Sequence, residues 1–360
     1  MILVMKIDMS QSLRREDEKM LQPGLFDMED RLRQLNQGGD PLPRLNAMID
    51  WELFRGDLEA IRDRERKSNA GRPPFDVVLM FKILVLQSLY NLSDDATEYQ
   101  IRDRLSFMRF LGLPLGDRVP DAKTIWLFRE QLTDAGLIEP LFVRFDQYLH
   151  ANGFAARKGQ IIDASIVSAP RQRNTREENA TIKQGRTPEA WKENPHKQRQ
   201  KDSHARWAKK NGVTYYGYKN HVCVDAKHKL IRRWVVTDAA VHDSQVFEPL
   251  LDDDNTCADV WADSAYRSPQ NMETLARGGF RERLQRKGAR GRPLSEAERR
   301  GNRTRSKVRS RIEHVFGVQT MRAGGLLLRS IGILRARCKI GLRNLAYNMD
   351  RFGQLAETKG

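Results

Sequence analysis

Cysteine is scarce in this chain of 360 residues: Cys223, Cys257 and Cys338 are the three. They stand far apart and no two form a Cys-x-x-Cys pair. A thiolate zinc site and a disulfide framework are therefore excluded, and cytoplasm is the natural compartment. No apolar run is long enough to span a membrane, and no basic amphipathic helix stands out, so a membrane partner is not expected. The opening "MILVMKIDMSQ" has neither the basic start nor the long apolar stretch of a signal peptide. A GxxxxGK[ST] phosphate loop is missing, which argues against an ATP-driven machine. No internal repeat of solenoid length is visible.

Positive charge is what the sequence has in excess. Lys and Arg number 63 against 47 Asp and Glu, a net charge of +16. Such a surplus predicts a polyanionic partner, held through phosphate contacts and counterion release. The apolar fraction of 39% suffices for two or three domains with one sizeable core.

Residues 1–74 read as a lead-in with short helical patterns, broken by Gly38-Gly39, Pro41 and Pro43 and closed by the basic linker "RDRERKSNAGRPPFD". Over 75–155 four helices are expected. The first is "DVVLMFKILVLQSLYNL", with apolar residues at helical spacing. The second is capped at Ser93 or Asp94 and runs to Gly112. The third starts at Asp121 or Thr124 and closes at Gly136, and the fourth is "IEPLFVRFDQYLHANG". Helix, turn, helix in a basic chain suggests a DNA-reading unit, with Lys123, Thr124 and Arg129 on the third helix as candidate contacts. Four short helices are equally a small bundle.

The pattern changes at 156. "QIIDASIVSA" is a strand. Residues 171–212 then carry twelve Lys or Arg against five Asp or Glu, with little apolar periodicity. They read as an insertion or long loop, either solvated or touching DNA. Trp191, Trp207, Tyr215 and Tyr216 interleave with that charge, as in surfaces that stack nucleic-acid bases. "YYGYKNHVCVDA" and "HKLIRRWVVTDA" form a hairpin of strands, "DSQVFEPLLD" a short helix, "ADVWAD" a strand, "SPQNMETLARGGF" a helix and "FRERLQRK" a strand. "PLSEAERR" opens a last helix, with Ser295 and Glu298 at capping-box spacing. Residues 351–360 are left as a tail. Three strands, then helix, strand, helix, strand, helix describe an α/β (mixed α+β) fold: a mixed five-stranded sheet in a ribonuclease-H-like domain over 156–350, preceded by an all-helical part.

Asp163 interrupts the apolar run of the first strand, where an unpaired carboxylate is costly. In this fold the first and fourth strands are neighbours and the last helix covers them. Asp163, Asp263 and Glu313 then converge. Converging carboxylates repel unless cations intervene, and oxygen ligands select hard ions such as Mg²⁺ or Mn²⁺. Two such ions about 3.5–4 Å apart can hold both oxygens of a phosphoryl displacement. Each acid also has an ordinary reading. An Asp after an apolar strand commonly caps or ends it, as Asp238 would, and Glu313 could pair with Arg309 on a helix surface. Residues 281–311 hold 13 basic and 3 acidic residues, and Arg309 and Arg311 beside Glu313 are candidate phosphate contacts. His242 and His314 are read as structural and Trp261 as core. A cleavage-only nuclease, with Glu248 as an extra acid, and a non-catalytic DNA-binding protein are the rival functions.

The stretches "GRPPFDVVLMFKILVLQSLYNLSDDATEYQIRDRLSFMRFLGL", "VPDAKTIWLFREQL", "QIIDASIV", "YYGYKNHV", "VTDAAVHDSQVF", "VWADSAYRS" and "RSRIEHVFG" closely resemble bacterial insertion-sequence transposases of the fifth insertion-sequence family. The resemblance spans about residues 22–350. It implies a DDE transposase with catalytic, metal-binding Asp163, Asp263 and Glu313. Arg309 and Glu313 match the family's Tyr-Arg-Glu-Lys signature, whereas Ser306 stands at the Tyr position and Thr320 at the Lys position. The implied activity is two-ion, Mg²⁺-dependent strand cleavage at terminal inverted repeats, then strand transfer into target double-stranded DNA. Asp163 is expected to bridge both ions, with Asp263 on one and Glu313 on the other. Pairing two element ends implies a homodimer or larger assembly.

Overall fold

The chain is described from a computed structural model that covers residues 24, 26–62, 73–210, 212–322 and 327–357. Residues 1–23, 25 and 63–72 of the expected lead-in, and with them most of its basic linker, lie outside these residues.

Among the described residues eight α-helices precede the sheet: α1 (Asp27–Gln37), α2 (Leu42–Met48), α3 (Arg55–Glu59), α4 (Val77–Tyr90), α5 (Asp94–Asp103), α6 (Leu105–Leu111), α7 (Ala122–Asp134) and α8 (Ile138–Ala151). The caps read from the sequence form. Ser93 accepts from the Ala96 N–H and Asp121 from the Thr124 N–H, each satisfying a first-turn donor that the helix leaves open. The single helix expected over 94–112 is two, parted at Arg104, whose backbone is extended. In one unbroken helix Ile101 and Phe107 would point about 120° apart. The break turns both into the core, where each is fully buried. Helix α4 is apolar on nearly every side and forms the centre of the bundle. Its one charge, Lys82, is buried; the ammonium donates to Asn46 Oδ1 at 2.8 Å and lies 4.8 Å from the centre of the Phe110 ring.

The sheet contains β1 (Gln160–Ser168), β2 (Arg206–Lys210), β3 (Val213–Asp225), β4 (Ile231–Asp238), β5 (Asp259–Trp261) and β6 (Arg281–Glu282). Across the sheet the order is β4-β3-β1-β5-β6, and β2 pairs with the first half of β3. The β4-β3-β1 ladders are antiparallel, and β1-β5 and β5-β6 are parallel. The five expected strands are thus present in the expected arrangement. Gly159, just before β1, holds φ +82°, and a Cβ there would lie 2.4 Å from the Trp261 ring. Only glycine lets β1 and β5 meet at this point.

Segment 171–212 is folded, against the expectation of a loop. It forms α9 (Arg176–Lys183), α10 (Glu189–Lys192), α11 (Pro195–Arg199) and β2. Thr175 and Glu178 make a reciprocal capping box. Glu178 also accepts from buried Trp191 and from Lys197, at 2.6 and 2.9 Å. Trp191, with Ile182 and Ala205 also buried, thereby gives a core to a segment whose composition looks unfoldable.

After β5 come α12 (Pro269–Arg277), α13 (Glu296–Arg322) and α14 (Ile333–Glu357), with "DSQVFEPLLD" as two single 3₁₀ turns between β4 and β5. The expected tail from 351 is helical through Glu357. Helix α14 packs on α4, α7 and α8 on one side and on β4 on the other. One continuous core therefore runs from the amino-terminal helices into the sheet, across the boundary expected at 155. Buried amides lock this helix. Asn344 exchanges hydrogen bonds with Asn220 of β3 at 2.9 and 3.1 Å and accepts from Gln319 of α13 at 3.0 Å. Asn348 caps both the N–H and the C=O of Ile231 on β4.

Two stability predictions follow from this packing. A Cβ on Gly341 would meet Ile138 at 2.6 Å and the Trp234 ring at 2.7 Å. Gly341→Ala should therefore destabilise by about 1–3 kcal/mol in urea unfolding, although the same change in an exposed helix stabilises. Burial lowers the Lys82 ammonium to about 8 from its ordinary 10.5. The unfolded chain then binds the extra proton between those values, so stability rises with pH across that window. Lys82→Met should flatten the rise and stabilise at pH 7 by about 1–3 kcal/mol, read as the parent-minus-variant difference across pH 7–10.

Candidate active site

Parallel pairing sets the site. Ile161 on β1 stands beside Trp261 on β5. Two residues further along each chain, Asp163 and Asp263 emerge at neighbouring positions. Odd-numbered β1 residues face α13: Ile161 shares its cluster with Ile312 and Val315 of that helix. Asp163 points the same way, and its side chain is only 13% exposed. Its Oδ1 accepts from the Ala164 N–H at 2.8 Å, and its Oδ2 lies 3.5 Å from Arg309 Nη2 on α13. Burial pushes this carboxyl above the usual range. Arg309 and the Ala164 N–H oppose that shift, and the nearby Asp263 charge adds to it. Asp263 caps the 3₁₀ turn Ser264–Tyr266, accepting from the Ala265 N–H at 2.7 Å.

Two further groups complete the surroundings. Arg309 Nη1 donates to Gln285 Oε1 at 2.8 Å, and Gln285 Nε2 donates to Ser306 Oγ at 2.7 Å. The Tyr266 hydroxyl is buried without a hydrogen-bond partner, as is Arg309 Nε. Burial and the charges of Asp163, Asp243 and Asp263 hold that phenol far above its ordinary value. Gln285 and Tyr266 were not singled out in the sequence. Gln285 lies in the basic run 281–311, and Tyr266 directly follows the strand end that carries Asp263.

Glu313 is not joined to the two aspartates. It is exposed, one turn beyond Arg309 on α13, and no hydrogen bond or ion pair ties it to either acid. Among the described residues no three His, Cys, Asp or Glu side chains form a metal-holding cluster. The donor set nevertheless fits a hard cation in chemistry: two carboxylates meet beside an orphaned hydroxyl, with one guanidinium as counter-charge.

The other sequence candidates divide sharply. Arg129 is a correction, because it is 4% exposed and inside the protein. It forks onto Asp94 at 2.6 and 2.8 Å and onto Gln87 at 2.8 Å, so no donor faces outward DNA. The Thr124 hydroxyl is held by Asp121, which caps the same helix. Lys123 is exposed, next to the exposed Trp126 and Leu127. Arg311 donates to the Ala226 carbonyl at 2.7 Å and so ties α13 to the end of β3. Thr320 bonds back to the Phe316 carbonyl of its own helix. Glu248 pairs with Arg277 on the surface, away from the acids. His242 caps the 3₁₀ turn Asp243–Val246, in the structural role expected of it.

One acid within β1 and one just past the end of β5, under a strongly basic helix, form an arrangement suited to phosphate chemistry. Comparison with known families agrees. Residues 155–349 match the family described as "Transposase DDE domain", and residues 30–131 match "Transposase domain (DUF772)". The chain belongs to the DDE transposase family, whose members cleave and transfer DNA strands. Among solved structures, the piggyBac transposase in a synaptic complex with hairpin DNA is similar at 12% identity and a TM-score of 0.41, over 89% of this chain and 76% of that one. Among the described residues no single helix is long and apolar enough to cross a membrane.

The Arg129 assignment is checked by stability. Arg129→Ala leaves Asp94 without its partner and should cost about 3 kcal/mol in denaturant unfolding. Lys123→Ala should stay within about 0.5 kcal/mol of the parent.

Proposed function

We propose that this transposase binds the terminal inverted repeats of its insertion sequence and uses the Asp163–Asp263 site for both strand cleavage and strand transfer. The observation that carries the reading is the adjacency of these two partly buried acids, one on β1 and one just past β5, with Arg309 delivered to Asp163 by α13. Asp163, Asp263 and Glu313 would hold two Mg²⁺ ions, or Mn²⁺ in their place, which when bound stabilise charge on the attacking and leaving oxygens of the phosphoryl group. Glu313 would reach the acids by a change of side-chain conformation, since its helix already rests on β1. The rest is done by the chain. Arg309 compensates Asp163 and is placed to hold a phosphate oxygen, while Gln285 fixes the guanidinium. Hydrolysis at the element end frees a 3′-hydroxyl, and the same site directs that hydroxyl onto target DNA. No covalent enzyme intermediate is required.

Double-stranded DNA is the partner that the charge favours. The exposed Lys123 face of α7 and the basic run 281–311 are the proposed contact surfaces. Two ends must be brought together, so we assign a homodimer or larger assembly to the DNA complex.

Nicking of a terminal-repeat duplex with Mg²⁺ tests the site. Asp163→Asn, Asp263→Asn and Glu313→Gln should each lose several kcal/mol of rate acceleration, about a thousandfold, while still binding the duplex. Parental nicking by Asp163→Asn would remove the site. Parental nicking by Glu313→Gln would remove only the third ligand. Product joined to target DNA separates a transposase from a nuclease that only cleaves.

A further inference from the structure

The amino-terminal helices, the far end of β1 and the start of α14 enclose a cleft of 190 Å³. That is well above the ~10–15 Å³ that one water needs. Four cations line it, Arg129, Arg329, Lys339 and Arg343, against two acids, Asp94 and Asp95. Arg129 already takes Asp94 in a forked pair. Arg343 donates only to the Asn91 amide oxygen, at 2.8 Å. No described residue hydrogen-bonds to Lys339 or Arg329, and the Asp94 and Glu130 charges offset only part of the burial of Lys339. Burial first, and then the Arg129 charge, lower the Lys339 ammonium to about 8. Burial lowers Arg343 to about 10. Cations gathered with so little counter-charge are disfavoured unless an anion joins them.

Position suggests which anion. Val167 lines the cleft and lies four residues beyond Asp163 on β1. Alternate strand residues share a face, so both open on the α13–α14 side. At about 3.3 Å per residue they are about 13 Å apart. Between them Ser165 holds a buried hydroxyl with no hydrogen-bond partner.

We propose that this cleft binds a phosphate group, and that in the working enzyme the group is a backbone phosphate of the DNA strand whose reacting bond lies at Asp163. Lys339 and Arg343 are the principal ligands and Arg329 closes the mouth. The identity of the strand rests on the function proposed above; the phosphate chemistry does not. The cleft would set how far the strand continues past the acids, as a positioning site rather than a catalytic one.

The test uses the whole chain and reads binding, not nicking, so it is separate from the fate of the acid site. Thermal unfolding is followed with inorganic phosphate against a chloride control of equal ionic strength. Duplex affinity is measured against salt without divalent cation. Phosphate should raise the parent's Tm, and Lys339→Met should abolish the rise. The same variant should lower the slope of log K against log salt by about one. Lys339→Met removes an unpaired cation and should fold; Arg329→Gln, at the surface, is a second variant expected to show the same changes in weaker form. Loss of the phosphate effect with an unchanged slope would establish a free-phosphate site and overturn the strand path. An equal phosphate effect in parent and variants would overturn the cleft as a site.

Discussion

A cluster of three buried amides sets the register of the whole molecule. Asn220, Asn344 and Gln319 can satisfy one another in only one alignment of β3, α13 and α14. An unsatisfied amide in the core is costly, so a slip of one residue along either helix is strongly opposed. That alignment brings Arg309, ten residues before Gln319 on the same helix, over Asp163. The acid site is therefore held by groups that touch neither acid, and its geometry comes from the interior.

Much of this was legible in the sequence. Period-2 and helical patterning gave the order of elements along the chain and the caps at Ser93, Asp121 and Ser295, because those signals are local; the order across the sheet came from the fold they imply. The pairing of Asp163 with Asp263 followed once the strands were ordered. What was missed was non-local. Helix α14 carries apolar and amide residues on both of its buried sides, so no amphipathic stripe announces it. Segment 171–212 hides its few buried hydrophobic residues, Ile182, Trp191 and Ala205, among charges. Arg129 looked like a DNA contact because its partner Asp94 lies 35 residues earlier in the chain. Gln285 had no signal beyond its neighbours, since its role depends on where Arg309 and Ser306 arrive.

The contrast between Arg129 and Lys123 shows how a net charge of +16 misleads when it is read residue by residue. Several of the cations are internal cross-links, already balanced by acids: Arg129 on Asp94, Arg232 on Asp146 and Asp225, Arg309 on Asp163. Ser306 and Thr320, which the sequence resemblance set against a Tyr and a Lys, show local uses of the same kind. Ser306 supports Gln285, and Thr320 turns back on its own helix. Whatever those positions do in relatives, here they serve the scaffold of α13.

Helix α14 has a consequence for biosynthesis. It forms one wall of the amino-terminal bundle and one cover of the sheet, yet it follows every other described element of both in the chain. Domains usually close in order as they emerge. In this chain neither half can seal its interior until residues 333–357 are made. The nascent polypeptide must keep two unfinished apolar faces in solution until that helix emerges, and both are covered in one event.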